Sequence, residues 1–300
     1  MPLLHLLVGP PDIGQMRKAF LGLLLVSAVA GAFGKSAWDN PPKDRAEWME
    51  HRTFRSAAMK VDVGYNICLP PEYKDGKTRF PVIYYLHGYE GSESSYPEYT
   101  EHWRESLSRT GPTILVFANG GETSFFSDAP DGSVMGETVV KELIAHVDKT
   151  YRTVGERSGR SVHGYSMGGF GALKLGFKHP EMFGSVVAYG ATLSSAEEMQ
   201  KHLGKVYAKV FGDKARFDAN NPLPLLERNA EQIRKGTRVC VIIGSKDEFL
   251  AANRKLYERL KALKVPASFD EIPGAKHKKD AIYEKAAMRG FECSFEKGKR

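Results

Sequence analysis

Cysteine is scarce in this chain: three in 300 residues, an odd number that cannot pair completely and so excludes a disulfide scaffold. Cys240 stands inside the apolar run RVCVIIG and reads as a small buried hydrophobe. Cys68 lies in another strand-like segment, and the sequence does not say whether any two cysteines bridge. Metal-ligand patterns are lacking too. His5, His51, His102, His146, His179 and His202 share no spacing, and no group of His, Cys, Asp or Glu has the spacing of a metal site. Neither a metal nor another cofactor is therefore expected. Positive charge has no focus: the formal net charge is +7, yet apart from short clusters at 276–279 and 297–300 the lysines and arginines are dispersed. That dispersal argues against a nucleic-acid partner. Repeats and low-complexity tracts are absent, and the apolar run over 19–33 falls short of the ~20 residues a bilayer span needs.

What is present is the composition of a globular protein, 42% hydrophobic and 26% charged, long enough to bury a large core in one unit. Arg17-Lys18 precedes the run over 19–33, which leaves through Ala28-Val29-Ala30 or Ala30-Gly31-Ala32. A positive start, a short apolar stretch and a small-residue exit mark a secretory signal over 1–33, with Met16 an alternative start. An uncleaved anchor is the competing reading. No cysteine near the exit supports a lipid anchor. The expected mature protein is secreted or periplasmic, without a stable membrane span. It has a polar lead-in over 34–51, a main domain over 52–292 and a basic tail over 293–300.

Strand-like and helix-like segments alternate along that domain. Apolar runs predict strands over 61–69, 80–86, 113–118, 160–165, 184–189, 238–244 and 267–272. Helices are predicted over 97–107, 137–151, 167–178 and 279–288, with a further one carrying Leu256, Leu260 and Leu263 on one stripe. This rhythm predicts an α/β fold, a mostly parallel sheet with helices on both faces. The segment 192–235 interrupts it as a charged, helical insertion, either a lid or surface packing.

The chemistry concentrates at His163-Gly164-Tyr165-Ser166-Met167-Gly168-Gly169. A G-x-S-x-G sequence between an apolar strand and a helix makes a sharp turn that pushes the serine hydroxyl out of the sheet edge. The same turn aims the Met167 N–H and the positive helix end at the space beside it. A serine hydroxyl needs a base to become a nucleophile. In folds with this turn an acid and then a histidine follow at the ends of later strands. Asp247 follows the strand over 238–244, with Glu248 as competitor, and His277 is the sole histidine downstream. After the strand over 80–86 come His87-Gly88-Tyr89, where the Tyr89 N–H is placed as a second donor to a developing oxyanion. His163 points with Tyr165 and reads as packed rather than reactive. His87, Gly88, Phe125 and Phe126 are candidates for a substrate wall, although the two phenylalanines fit a core equally well.

LPPEY at 69–73, YYLHG at 84–88, ANGG at 118–121, HGYSMGGFGAL at 163–173, GSKD at 244–247 and His277 together resemble the putative-esterase family of α/β-hydrolases. That family includes feruloyl and related carbohydrate esterases, S-formylglutathione hydrolases, enterochelin-type esterases and mycolyltransferases. The resemblance covers roughly residues 52–290. It implies an α/β-hydrolase sheet, Ser166, Asp247 and His277 as nucleophile, acid and base, and Tyr89 and Met167 as backbone oxyanion donors. Two stretches depart from the family. GAKHKKDAIYEK around His277 lacks the tryptophan many members carry. GYEGSESSY after the YYLHG motif lacks the cysteine usual in S-formylglutathione hydrolases. With the apparent signal, this favours an exported esterase acting on acyl esters of carbohydrates. An acyltransferase to a sugar hydroxyl, a thioesterase and a non-catalytic carbohydrate-binding relative are the alternatives. Oligomeric state is not readable.

Overall fold

Near-continuous apolar runs become the buried centre of an eight-stranded sheet, as expected of strands covered on both faces. The computed structural model describes residues 38–44, 46–96 and 99–295, with the side chains of Thr100, Glu101 and Glu284 left aside. The strands are β1 (Met49–Arg55), β2 (Asp62–Cys68), β3 (Val82–Leu86), β4 (Ile114–Ala118), β5 (Arg160–Tyr165), β6 (Ser185–Tyr189), β7 (Arg238–Gly244) and β8 (Ala267–Ile272). Their order across the sheet is β1-β2-β4-β3-β5-β6-β7-β8. β1 and β2 run antiparallel to their neighbours and the rest are parallel. Parallel neighbours require crossovers, and helices supply them: α1 (Thr100–Thr110), α2 (Gly136–Thr150), α3 (Met167–Lys178), α4 (Ala196–Val210), α5 (Lys214–Asn220), α6 (Pro222–Arg234), α7 (Leu250–Ala262) and α8 (Lys279–Ser294).

Alternate strand residues feed two cores. One joins Tyr84, Val116, Val162, Val186 and Val241 to α2, α3, α6 and α7 through residues such as Leu143, Phe170, Ile233 and Leu256. The other is aromatic. It joins Tyr85, Phe117, Tyr165 and Tyr189 to Trp103 of α1 and Tyr283 of α8. Trp103 stacks on Phe117 at 5.0 Å and on Tyr85 at 4.9 Å, within the range where ring pairs add to area burial.

Four features differ from the sequence-based expectation or extend it. β1 lies partly within the expected polar lead-in; its burial pattern has no clean period of two, because Met49 and Phe54 are buried, Glu50 and His51 are half-buried, and only Arg52 and Thr53 between them are exposed. α8 runs on to Ser294, beyond the predicted end at 288, because Phe291, Cys293 and Phe295 are buried against the sheet. Cys240 of β7 and Cys293 of α8 form a disulfide, and Cys68 is free and buried. The insertion over 192–235 contains α4, α5 and α6, and Met199, Tyr207, Phe217, Leu226 and Ile233 pack into the larger core. The signal expected over 1–33 and the basic residues over 297–300 lie outside the described residues. Among those described, no helix is long and apolar enough to cross a membrane.

Candidate active site

The C-terminal ends of β3, β5, β7 and β8 bring the polar groups together. Ser166 occupies the turn between β5 and α3 at φ 57° and ψ −117°, backbone that a non-glycine residue adopts only under constraint. The constraint is visible. Ser166 N–H donates to Tyr189 O at 2.9 Å, and Ser166 O accepts from Phe170 at 3.1 Å and Thr192 at 3.3 Å. The flanking glycines are steric necessities. A β-carbon on Gly164 would sit 2.1 Å from Gly168 O, and one on Gly168 would sit 2.1 Å from Leu86 O. Helix α3 thus approaches the sheet closely enough to hold Ser166 at its rim.

Loops after β7 and β8 are zipped to each other. Ser245 N–H donates to Ile272 O at 3.0 Å, Lys246 N–H to Ala275 O at 2.9 Å, and Gly274 N–H to Ser245 Oγ at 2.8 Å. Gly244 permits this approach, since a β-carbon there would lie 2.3 Å from Ala275 O. The zipped loops present Asp247 and His277 to Ser166. His277 Nε2 is 2.9 Å from Ser166 Oγ, and His277 Nδ1 is 2.8 Å from Asp247 Oδ2. The other Asp247 oxygen accepts from Phe249 N–H at 2.9 Å, which fixes the carboxylate, whereas Glu248 is exposed. His277 lies between the Tyr165 ring, stacked at 5.2 Å, and the Phe249 ring, edge-on at 5.1 Å. The side chains of His277 and Asp247 are 6% and 0% exposed, so their hydrogen bond is largely shielded from water. Burial, reinforced by the Asp247 charge, raises the Tyr165 phenol above its usual range and keeps it protonated. In such a chain the imidazole can accept a hydroxyl proton while the carboxylate fixes its tautomer.

Gly88 borders the serine: a β-carbon there would lie 3.7 Å from Ser166 Cβ. Neither Tyr89 N–H nor Met167 N–H, the first N–H of α3, has a protein acceptor among the described residues. His87, Phe125 and Phe126 are 1%, 3% and 0% exposed, so they lie in the packed interior while Gly88 faces the serine. Phe126 is accommodated by Gly120 and Gly171, where any β-carbon would overlap its ring. His163 is also fully buried, with Nε2 2.8 Å from Ser294 Oγ. The aromatic cradle of Tyr165 and Phe249 is not evident from the sequence alone. Its signal, one aromatic directly before Ser166 and another two residues after Asp247, gains meaning only once the loops converge.

Folding also gathers residues that sequence spacing had kept apart. Asp39, His51 and Glu93 bring ligand-type atoms within 4.8 Å of one another. Both ring nitrogens of His51 already have partners, Asp39 Oδ1 and Asn66 Oδ1, each at 2.8 Å. Buried Glu93 accepts from Asn119 Nδ2 at 2.8 Å and from the Asn40 N–H. The grouping is a polar tie between β1, β2 and the loop after β3. A cavity of about 660 Å³, bordered by Arg79, Gly159, Arg238 and Phe295, contains none of the residues around Ser166.

The sheet order, the strained serine turn and the positions of Asp247 and His277 at later strand ends define an α/β-hydrolase fold. Within that class, the family described as putative esterase matches residues 56–280, and the chain belongs to it. An esterase of Mycobacterium tuberculosis is 28% identical over 298 residues, covering 89% of this chain and 62% of that protein. This chain therefore spans less than two thirds of that relative's length. An acetyl esterase of Caldicellulosiruptor saccharolyticus is 28% identical over 247 residues, covering 74% of this chain and 89% of that one. Among solved structures, a ferulic acid esterase superposes with TM-score 0.69 at 23% identity, covering 82% of this chain and 97% of its own. An S-formylglutathione hydrolase from Agrobacterium tumefaciens superposes with TM-score 0.69 at 20% identity, covering 82% and 95%. At those identities the structures share the fold.

Proposed function

We propose that the protein is a serine carboxylic-ester hydrolase that works through an acyl-serine intermediate on acyl esters of carbohydrates. The observation that carries this reading is the continuous Ser166–His277–Asp247 hydrogen-bond chain at a strained turn. In the first step Ser166 Oγ attacks the ester carbonyl as His277 Nε2 takes its proton. Asp247 stabilises the imidazolium, and the N–H groups of Tyr89 and Met167 receive the oxyanion. Collapse breaks the bond to the alkoxy oxygen, which leaves as an alcohol with the proton from His277. Water, deprotonated by the same imidazole, then cleaves the acyl-serine and releases the acid. The carbohydrate part of the proposal draws on the acetyl and ferulic acid esterases among the relatives, and on the absence of a cysteine from the loop over 88–96.

Export is part of the same proposal. The secretory-type N-terminus and the Cys240–Cys293 disulfide both favour an oxidising compartment. The test is an ester panel of acetylated and feruloylated sugars, S-formylglutathione and p-nitrophenyl acetate, with and without a sugar acceptor. Sugar esters are expected to give the highest kcat/KM. Ser166→Ala should lower turnover by about 10⁶-fold while the protein stays folded. Near-wild-type turnover in that variant contradicts the mechanism. Preference for the glutathione ester, or transfer to the sugar in place of hydrolysis, contradicts the substrate assignment.

A further inference from the structure

The geometry points to His87 as a positioning residue that orients the Gly88–Tyr89 peptide, so that Tyr89 N–H faces the space beside Ser166. This deepens the reading above and rests on it. His87 cannot touch substrate directly, being 1% exposed. Its ring nitrogens bond two loops at the sheet rim. Nδ1 lies 2.8 Å from Gly88 O, and Nε2 lies 3.3 Å from Gly120 N. A carbonyl oxygen only accepts and an amide N–H only donates, so both contacts require one state: neutral imidazole with its proton on Nδ1.

The consequence follows from peptide planarity. Gly88 O and Tyr89 N–H belong to one trans peptide unit and point in opposite directions. Fixing the oxygen therefore fixes the N–H. His87 Nδ1 holds that oxygen together with Gly91 N–H, which donates to it at 3.1 Å across a tight turn. Glu90, the third residue of this turn, takes φ 55°, the positive value that a type II turn demands there. On the preceding peptide, Gly88 N–H donates to Tyr96 Oη at 2.9 Å. Gly88 is thus pinned on both sides, and the Tyr89 N–H is left without an acceptor among the described residues. An N–H held ready in this way costs no reorganisation when charge develops.

The imidazole itself is boxed in. Its ring lies 5.1 Å from the Phe126 ring. The Phe126 backbone, at φ 51°, is held by Lys174 Nζ, which donates to Phe126 O at 2.5 Å. Lys174 stands on α3, the helix that follows Ser166 directly. The serine turn and the oxyanion loop are therefore braced by one buried assembly, and His87 is its hydrogen-bonding link to the Gly88–Tyr89 peptide.

Three substitutions test this. In Asn the amide nitrogen sits where Nδ1 sits, whereas Gln reaches only the Nε2 position and Ala reaches neither. We expect His87→Ala and His87→Gln to lower kcat by about 10–10²-fold, part of the 10²–10³ attached to losing an oxyanion donor outright, because Gly91 still holds the carbonyl. KM should stay within about twofold, since the donor acts on the transition state. His87→Asn should recover most of the loss, and a trifluoromethyl ketone inhibitor should lose affinity in parallel with kcat. Nitrogen-15 NMR of the wild-type protein, which needs no variant to fold, should show His87 protonated at Nδ1. A folded His87→Ala with wild-type kcat, an Asn variant no better than Ala, or an Nε2-protonated imidazole overturns the proposal. With Ser166→Ala inactive, such results fail this inference alone; an active Ser166→Ala fails the nucleophile reading with it.

Discussion

Helix α3 starts directly after Ser166, which lies within hydrogen-bonding distance of His277, and ends beside Glu137 of α2, whose carboxylate is met by Lys174 at 2.7 Å and by Lys178 and His179 at 2.8 Å. Both ends join a carboxylate to a histidine, yet they have opposite characters. At the first end Asp247 and His277 are fully hydrogen-bonded, but the Ser166 hydroxyl stands at strained backbone and the N–H groups of Tyr89 and Met167 have no acceptor among the described residues. At the second, Glu137 faces these three groups and, at 3.7 Å, Lys141, and together they hold its carboxyl well below the usual range against the opposing effect of burial. Lys174 has no exposed side-chain surface, and burial pulls it down to about 8 despite that partner. Cationic side chains at a helix C-terminus also suit its dipole. A saturated cluster locks structure, whereas an incompletely satisfied one is available to react.

That contrast can be broken by exchanging which end is damaged. Asp247→Asn should cost about 10⁴-fold in kcat, because the amide supports the wrong tautomer, and should leave the melting temperature nearly unchanged. Steady-state kinetics beside thermal melts would check it; a variant that unfolds without losing specific activity would reverse the contrast. Glu137→Gln should do the opposite. It leaves Lys174 buried without its counter-charge, which costs about 3–5 kcal/mol of stability in urea titrations, while the remaining folded protein keeps its kcat. The contribution of Glu137 is present above pH 4.5 and is lost as pH falls through its depressed folded pKa, so the variant's deficit should shrink in acid.

A smaller effect concerns His163, on the strand that leads into the serine. Ser294 Oγ donates to Gly290 O at 3.0 Å, so His163 Nε2 is the donor in its 2.8 Å contact with Ser294. Its Nδ1 is buried with no partner among the described residues, and charging it there is opposed by burial, which lowers its pKa to about 3. The unfolded chain takes up this proton near pH 6.5, so stability should fall as pH drops across that window. The slope from this one group is about 1.4 kcal/mol per pH unit. His163→Phe should flatten the dependence; an unchanged slope would show that His163 charges in place.

The central strands and the meeting of Ser166, Asp247 and His277 were legible in the sequence for two reasons. Buried parallel strands are near-continuous apolar runs, and the serine turn writes its steric needs into Gly164 and Gly168. His277 followed by elimination, being the sole histidine after Asp247. What stayed hidden was non-local. β1 has no clean alternation to read, and its place is decided by pairing with β2. The Cys240–Cys293 bridge depends on α8 folding back to β7. Phe126 could be assigned to the interior only once Gly120 and Gly171 were seen to receive it. The partners of His87 lie in a turn and a second loop, which residue types alone do not bring together.

Mass spectrometry of the protein after reaction with a fluorophosphonate tests the central claim most directly. We expect one phosphonyl group per chain, on the peptide containing Ser166, with labelling abolished in Ser166→Ala and strongly slowed in His277→Ala. Labelling at another residue, or undiminished labelling of the Ser166→Ala protein, would contradict the account.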